Sequence, residues 1–411
     1  MIKNGVNDFS QRNHAIDMLR AVTMLLMIFV NDLWTVSDVP AWLGHAALGE
    51  DMLGLADTVF PCFLFSVGMS IPFAIERRFS KGETGVSTVA HILSRTAALL
   101  IMGVFIVNTE SGVSSSTGLS LPVYRLLMVA GFFLIWNIYR RTEKESVRNL
   151  YAGLKILGMI ILLILAIIFR DNDEGVFSAR WWGILGLIGW TYFLCAFIYL
   201  FSRDRLKYLF GAWLLFVLIC ILLSTTREGI AILNLPSGNF FNQILSILHV
   251  GNGALPAFTM GGMLLSVIGV KYAEKIKEKP SQWILGGIAA SLLFCIAGFV
   301  SHQYWIISKL SETPSWVFYC LAIGVGAYFF LYWLDKKDLT GWFKFIEPAG
   351  TATLTCYLIP YILYSIFALV NISLPQWAKV GTMGVLNSIV FSFLVIGCTY
   401  LLGKIHIKLK I

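Results

Sequence analysis

Apolar residues run along the chain in long blocks separated by short polar segments. The blocks neither alternate residue by residue nor keep to one narrow helical stripe. About 20 mostly apolar residues are what a helix needs to cross the hydrocarbon core of a bilayer. On that rule the pattern predicts twelve helical spans, over 15–34, 54–75, 88–108, 122–139, 150–169, 180–201, 208–224, 248–270, 282–301, 314–334, 346–370 and 383–403. Two of them are irregular: 248–270 is rich in glycine, and 346–370 carries Pro348 and Pro360. Eleven spans result if one of these does not cross. The predicted fold class is all-α, a polytopic transmembrane helical bundle forming a single domain over 1–411. No internal repeat stands out. The longest segments between spans are 35–53, 225–247 and 109–121.

Composition narrows the class further. Of 411 residues only 13% are charged while 57% are hydrophobic, against about 25% charged in an ordinary soluble domain. That balance excludes a soluble globule, a disordered chain and a nucleic-acid binder. The net charge of +8 then reads as membrane topology rather than as a polyanion partner. With the N-terminus inside, the inner segments hold 22 Lys and Arg and the outer ones 5, and Arg20, Arg95, Arg125 and Lys155 lie within spans. The bias predicts that both termini are cytoplasmic. The polar lead from Met1 to His14 enters a full-length span without a small-residue cleavage site, so no cleavable signal peptide is expected. A short cytoplasmic lead without a lumenal domain suggests a bacterial inner membrane. All seven cysteines fall in apolar runs, as small buried hydrophobes do. None is spaced like a metal knuckle, and no metal is expected.

Ionisable groups inside spans are expensive, and each is a candidate for function. Asp17 and Arg20 sit three apart near the inner end of the first span, on one helical face. They make either an internal ion pair or, through Arg20, part of an anion site. Arg95 in the third span is either a phosphate ligand or a snorkelling side chain. The outer half holds a denser group. Asn31 and Asp32 close the first span, His45 lies in the loop after it, and Asp57 opens the second span ahead of Pro61. Singly these read as a helix cap, interface carboxylates and a solvated histidine. Together they can bind, orient and transfer a proton. His249 and His302 also fall at outer helix ends. No Walker loop, zinc-protease helix or dinucleotide fingerprint is present. The string Gly183-Ile184-Leu185-Gly186 reads as a close helix contact.

These polar positions sit inside a recognisable pattern. The run Ile16-Asp17-Met18-Leu19-Arg20-Ala21, then Phe29-Val30-Asn31, His45-Ala46, Ala56-Asp57-Thr58-Val59-Phe60-Pro61-Cys62-Phe63-Leu64-Phe65 and Val67-Gly68-Met69-Ser70-Ile71 resembles the heparan-α-glucosaminide N-acetyltransferase family. These are polytopic enzymes of lysosomes and bacterial membranes, within a wider group of transmembrane acyltransferases. Weaker matches follow at Tyr124-Arg125-Leu126-Leu127, Leu255-Pro256-Ala257 and Glu347-Pro348-Ala349-Gly350-Thr351-Ala352-Thr353-Leu354-Thr355-Cys356-Tyr357. In three places the chain departs from the family pattern. Leu48 stands where a tryptophan is frequent, Asp32 where a neutral residue is expected, and the stretch from His45 to Asp57 is slightly longer.

The resemblance implies that Asn31 and His45 are the active-site pair, with acetyl-CoA as co-substrate and an amino-sugar oligosaccharide as acceptor. It also implies that CoA enters the bundle from the cytosol and reaches outward with its thioester. Its phosphates then need cations near the inner half, and Arg20, Arg77, Arg78 and Arg95 are the ones available. His45 would take the proton of the attacking amine or carry the acetyl group itself. Asn31 would donate to the thioester oxygen, and Asp57 would orient His45 or bind the sugar's ammonium. Two alternatives are a transporter of a small solute and an O-acetyltransferase of a periplasmic glycan. A transporter concentrates its polar groups on broken helices at the midplane, whereas here they cluster at one end of the first two spans. The lipid bilayer is the expected surroundings, and a homodimer is one assembly the sequence allows.

Overall fold

The computed structural model describes residues 13–411 except Leu235, Ser237 and Gly238. The polar lead before Asn13, with Lys3 and Arg12 of the charge count, lies outside the described residues. The chain is 72% helix and holds no strand among those residues. The helices are α1 His14–Asp32, α2 Leu55–Ser80, α3 Gly85–Glu110, α4 Leu121–Trp136, α5 Glu145–Ile168, α6 Ile184–Ser202, α7 Leu206–Leu223, α8 Phe240–Ile247, α9 Ala254–Lys271, α10 Ala273–Glu278, α11 Pro280–His302, α12 Pro314–Lys336, α13 Phe343–Thr351, α14 Thr353–Leu369 and α15 Gly381–Lys404.

Each of the twelve predicted stretches carries a helix. Among the described residues nine helices are long and apolar enough to cross a membrane, or ten if the bent pair α13 and α14 makes one span. These features mark an integral membrane protein. Of the two remaining predicted spans, α1 is not among these helices, and α4 has only 16 residues. The glycine-rich stretch 248–270 is not continuous helix. Its first residues form a turn through His249, Gly251 and Gly253, all at positive φ, and α9 begins only at Ala254. The stretch 346–370 breaks at Ala352, and its two halves meet at 91°.

The chain divides into two compact units, and α1, α3 and α6 run from one into the other. The first unit takes residues up to Thr23, Pro40–Leu93 and Trp190–Lys344. Its centre is α2, which is apolar around its whole circumference and accordingly buried along most of its length. α2 packs on α9 and α12, α7 packs on α9, and α11 on α12. The α2–α9 approach is set by glycine on both sides. A Cβ at Gly68 would lie 1.8 Å from the Thr259 carbonyl oxygen, and one at Gly262 would lie 2.0 Å from that of Phe65. Pro61 lies inside α2 and has no N–H to give the carbonyl four residues earlier, which is that of Asp57. The indole N–H of Trp316, on α12, donates to that oxygen instead, at 3.0 Å.

The second unit takes Met24–Val39, Ser94–Gly189 and Phe345–Ile411. In it α4 packs on α5 and α14, and α14 on α15. The glycine string read as a close contact is one. A Cβ at Gly103 would meet the Gly186 amide at 2.6 Å, and one at Gly183 would meet the Val107 side chain at 2.2 Å. Five cysteines are buried, but Cys295 is exposed and Cys398 partly so. Cys295 shares α11 with exposed Leu292, Leu293 and Ile296, an apolar surface suited to hydrocarbon.

Candidate functional site

The site begins with the unsatisfied amides that open every helix. At the start of α2 the loop before it folds back to supply acceptors. The Leu55 N–H donates to the Trp42 carbonyl at 2.7 Å and the Ala56 N–H to that of Leu43 at 3.3 Å. Glycine permits the approach: a Cβ on Gly54 would sit 2.0 Å from the Gly44 carbonyl oxygen. Once the loop is pinned there, His45 stands over the first turn of α2.

Asp57 lies three residues into that turn and is 1% exposed. Its Oδ2 accepts from the Ala46 N–H at 2.9 Å and from the Gly54 N–H at 3.3 Å. Its Oδ1 lies 2.7 Å from Nδ1 of His45. A buried carboxylate is tolerable only with such partners. Their number makes Asp57 a fixed acceptor, so Nδ1 carries the proton and Nε2 presents its lone pair. The ring is 49% exposed, and Nε2 has no hydrogen-bond partner among the described residues. Behind the pair, the fully buried Trp316 packs edge-on against Phe258 of α9 at 5.0 Å. The arrangement is a histidine held from behind, with its base nitrogen facing outward.

Lys309 joins the site from the loop between α11 and α12, its Nζ 3.3 Å from His45 Nδ1. Burial lowers its basicity while the Asp57 carboxylate raises it, with burial the larger. Sequence reasoning placed Lys309 only among the five outer cations. A lysine on the side that the charge bias leaves nearly empty was the available signal.

A second histidine–aspartate pair lies in the same unit. His302 Nε2 is 2.9 Å from each carboxylate oxygen of Asp51. Asp51 also takes hydrogen bonds from Arg227, at 2.5 Å, and from the Ile307 N–H, at 2.7 Å. Burial pushes the Asp51 carboxyl up, but the donors Ile307, Arg227 and His302 outweigh it and hold it below the ordinary value. His249, the third histidine at a helix end, stacks on Trp190 at 4.1 Å.

The other expected residues are spread more widely. Asn31 is exposed in the last turn of α1 and belongs to the second unit. Its neighbour Asp32 is buried there and accepts from the Tyr364 hydroxyl. Arg20 forms the intrahelical pair with Asp17, at 3.3 Å, and also donates to Ser70 at 2.5 Å. Arg78 is paired with Glu83, Arg77 is exposed in the last turn of α2, and Arg95 lies in the second unit. No group of three or more His, Cys, Asp or Glu able to hold a metal occurs among the described residues.

Residues 12–242 match DUF5009, a domain of unknown function, over more than half of the 411-residue chain. The chain belongs to the DUF5009 family. No curated protein matches it. The DUF5009 stretch contains His45, Asp51, Asp57 and Arg227, whereas His302, Lys309 and Trp316 lie beyond its end.

Proposed function

We propose that this protein is an acetyltransferase of the bacterial inner membrane, with twelve spans and both termini in the cytoplasm. It moves the acetyl group of cytosolic acetyl-CoA to the amine of a glucosamine-terminated, heparan-like saccharide on the periplasmic side. The observation that carries this reading is the His45–Asp57 pair, 2.7 Å apart, with Nε2 left facing outward. That geometry suits a general base, and the resemblance of the first 80 residues to the heparan-α-glucosaminide N-acetyltransferases points to the same histidine.

In the proposed reaction the amine nitrogen attacks the thioester carbonyl carbon and passes its proton to His45 Nε2. The carbon–sulfur bond then breaks and the CoA thiolate leaves, taking up a proton in its turn. Asp57 stabilises the imidazolium formed in between. The CoA phosphates would meet Arg20, Arg77 and Arg78 in a water-accessible part of the first unit, since phosphates do not sit in lipid. Arg20 and Arg78 already hold carboxylates, so CoA would have to displace Asp17 and Glu83, while exposed Arg77 has no such competitor among the described residues.

The test is to incubate purified protein with labelled acetyl-CoA and glucosamine-terminated oligosaccharides. N-acetylated product is expected, and label trapped on His45 would select a two-step route. Label on a glycan hydroxyl instead would replace the acceptor and keep the chemistry. A transporter is the second reading, favoured by the 91° break between α13 and α14. Solute flux into proteoliposomes with no acetyl transfer would establish it and overturn the first.

A further inference from the structure

The first unit holds a polar cavity of about 580 Å³ at the C-terminal end of α7 and the N-terminal ends of α9 and α12. Its size falls within the roughly 300–1,000 Å³ of small-molecule sites. Ser224, Thr225, Thr226, Arg227, Asn252 and Glu312 contribute to its lining. Three of these are committed to the frame, among them Thr226, whose hydroxyl donates to the Ile230 carbonyl at 2.7 Å. Arg227 spends its guanidinium on Asp51 and on the His302 carbonyl, and the Asn252 amide bridges the Ser224 hydroxyl and the Glu312 carbonyl.

The Glu312 carboxylate differs from every other lining group. It has neither a hydrogen-bond donor nor an ion-pair partner among the described residues. Burial pushes its carboxyl up to about 7. Glu312 is held at φ +47°, a left-handed conformation that is uncommon for a side-chain-bearing residue. Gly251, at φ +60°, lies alongside: a Cβ there would be 3.4 Å from the carboxylate, in van der Waals contact. Arg227, which also lines the cavity, is engaged by Asp51, and Lys309, on the same loop as Glu312, has the Asp57 carboxylate as its charge partner. A half-buried carboxylate without a donor either takes up a proton or is met by a cation from solution. One carboxylate among hydroxyls and an amide is too few charges for a divalent metal, but it suits an ammonium.

We infer that this cavity is a binding site for a primary ammonium on a hydroxyl-rich ligand such as an amino sugar, with Glu312 as its counter-ion. Thr226, whose own O–H is given to the Ile230 carbonyl, accepts from a ligand hydroxyl, and the Ser224 hydroxyl donates to one. The loop carrying Glu312 also carries Lys309, so the ligand's amine is held on the same loop that touches His45. The inference deepens the proposed reaction by assigning a dock for the acceptor, and it rests on that reading for the ligand's fate.

Its test uses binding alone. The full-length protein in nanodiscs is titrated calorimetrically at neutral pH with D-glucosamine, D-glucose and N-acetylglucosamine. Glucosamine should bind at least about tenfold more tightly than the other two. Glu312→Gln should erase that preference and Glu312→Asp should keep part of it. Equal binding of the three sugars by the unaltered protein would overturn the site without recourse to any variant. So would a glucosamine preference that survives in a folded Glu312→Gln protein. A glucosamine preference in a protein that transfers no acetyl would leave the site standing and overturn the reaction. Acetyl transfer without the preference would do the reverse.

Discussion

The two histidine–aspartate pairs of the first unit use the same side chains to opposite ends. Asp57 is 1% exposed and holds His45 by Nδ1, with two backbone amides as its other donors. Asp51 is 30% exposed, and it takes His302 by Nε2 together with an arginine and one amide. Held by Nδ1, a histidine keeps its outer nitrogen for chemistry. Held by Nε2 against a carboxylate that an arginine already neutralises, it becomes a clasp. The Asp51 clasp ties the first long loop to Arg227, before α8, and to Ile307, between α11 and α12. Glu312 completes the series as a carboxylate with no partner among the described residues.

The sharpest way to break the comparison is to remove each histidine. His45→Ala should abolish acetyl transfer, with acetyl-CoA binding and the unfolding midpoint nearly unchanged. His302→Ala should leave turnover within about threefold. If His302→Ala were the null variant, the two roles would be exchanged.

Asp57→Asn tests the tautomer. The amide can donate to Nδ1 and turn Nε2 into the protonated nitrogen, a misassignment that costs about 10⁴ in turnover in hydrolases built on such a pair. A loss of about 10³ or more in kcat, measured under saturating acetyl-CoA, is expected here. Asp51→Asn leaves Arg227 a neutral acceptor and should show no such loss.

For Glu312 the sign of the pH effect follows from its raised carboxyl. The folded state favours the protonated form. The stability this carries is therefore fully present below the ordinary value of 4.5 and is lost as pH rises through about 7. The span between the two values corresponds to a loss on the order of 3 kcal/mol. Unfolding midpoints between pH 5 and pH 8.5 should fall more steeply in the unaltered protein than in Glu312→Gln. Parallel slopes would mean that Glu312 has a partner.

The smallest effect is expected from Asp51→Asn on stability. Asp51 is partly exposed and its ion pairs are screened, so about 1 kcal/mol is at stake. A modest drop in midpoint with faster proteolysis of the 35–53 loop would show the clasp opening.

Several of these features were legible in the chain alone. A helix across a bilayer needs little beyond length and apolarity, so a helix stands at each of the twelve predicted stretches. The breaks at Gly251–Gly253 and Ala352 were foreshadowed by glycine and proline, although neither residue type states where a helix stops. His45 and Asp57 stood out as polar groups flanking a span, twelve residues apart, close enough for one loop to join them. Tertiary structure alone decided the rest. Lys309 and Trp316 reach that loop from more than 250 residues away. Arg227 and His302 meet Asp51 across 176 and 251 residues, and whether Glu312 finds a cation depends on where Arg227 and Lys309 are already committed. Hydrophobic periodicity is a local property and survives in sequence. The partner of a buried charge is chosen only when distant loops close over it, because its cost depends on every group that packing brings within reach.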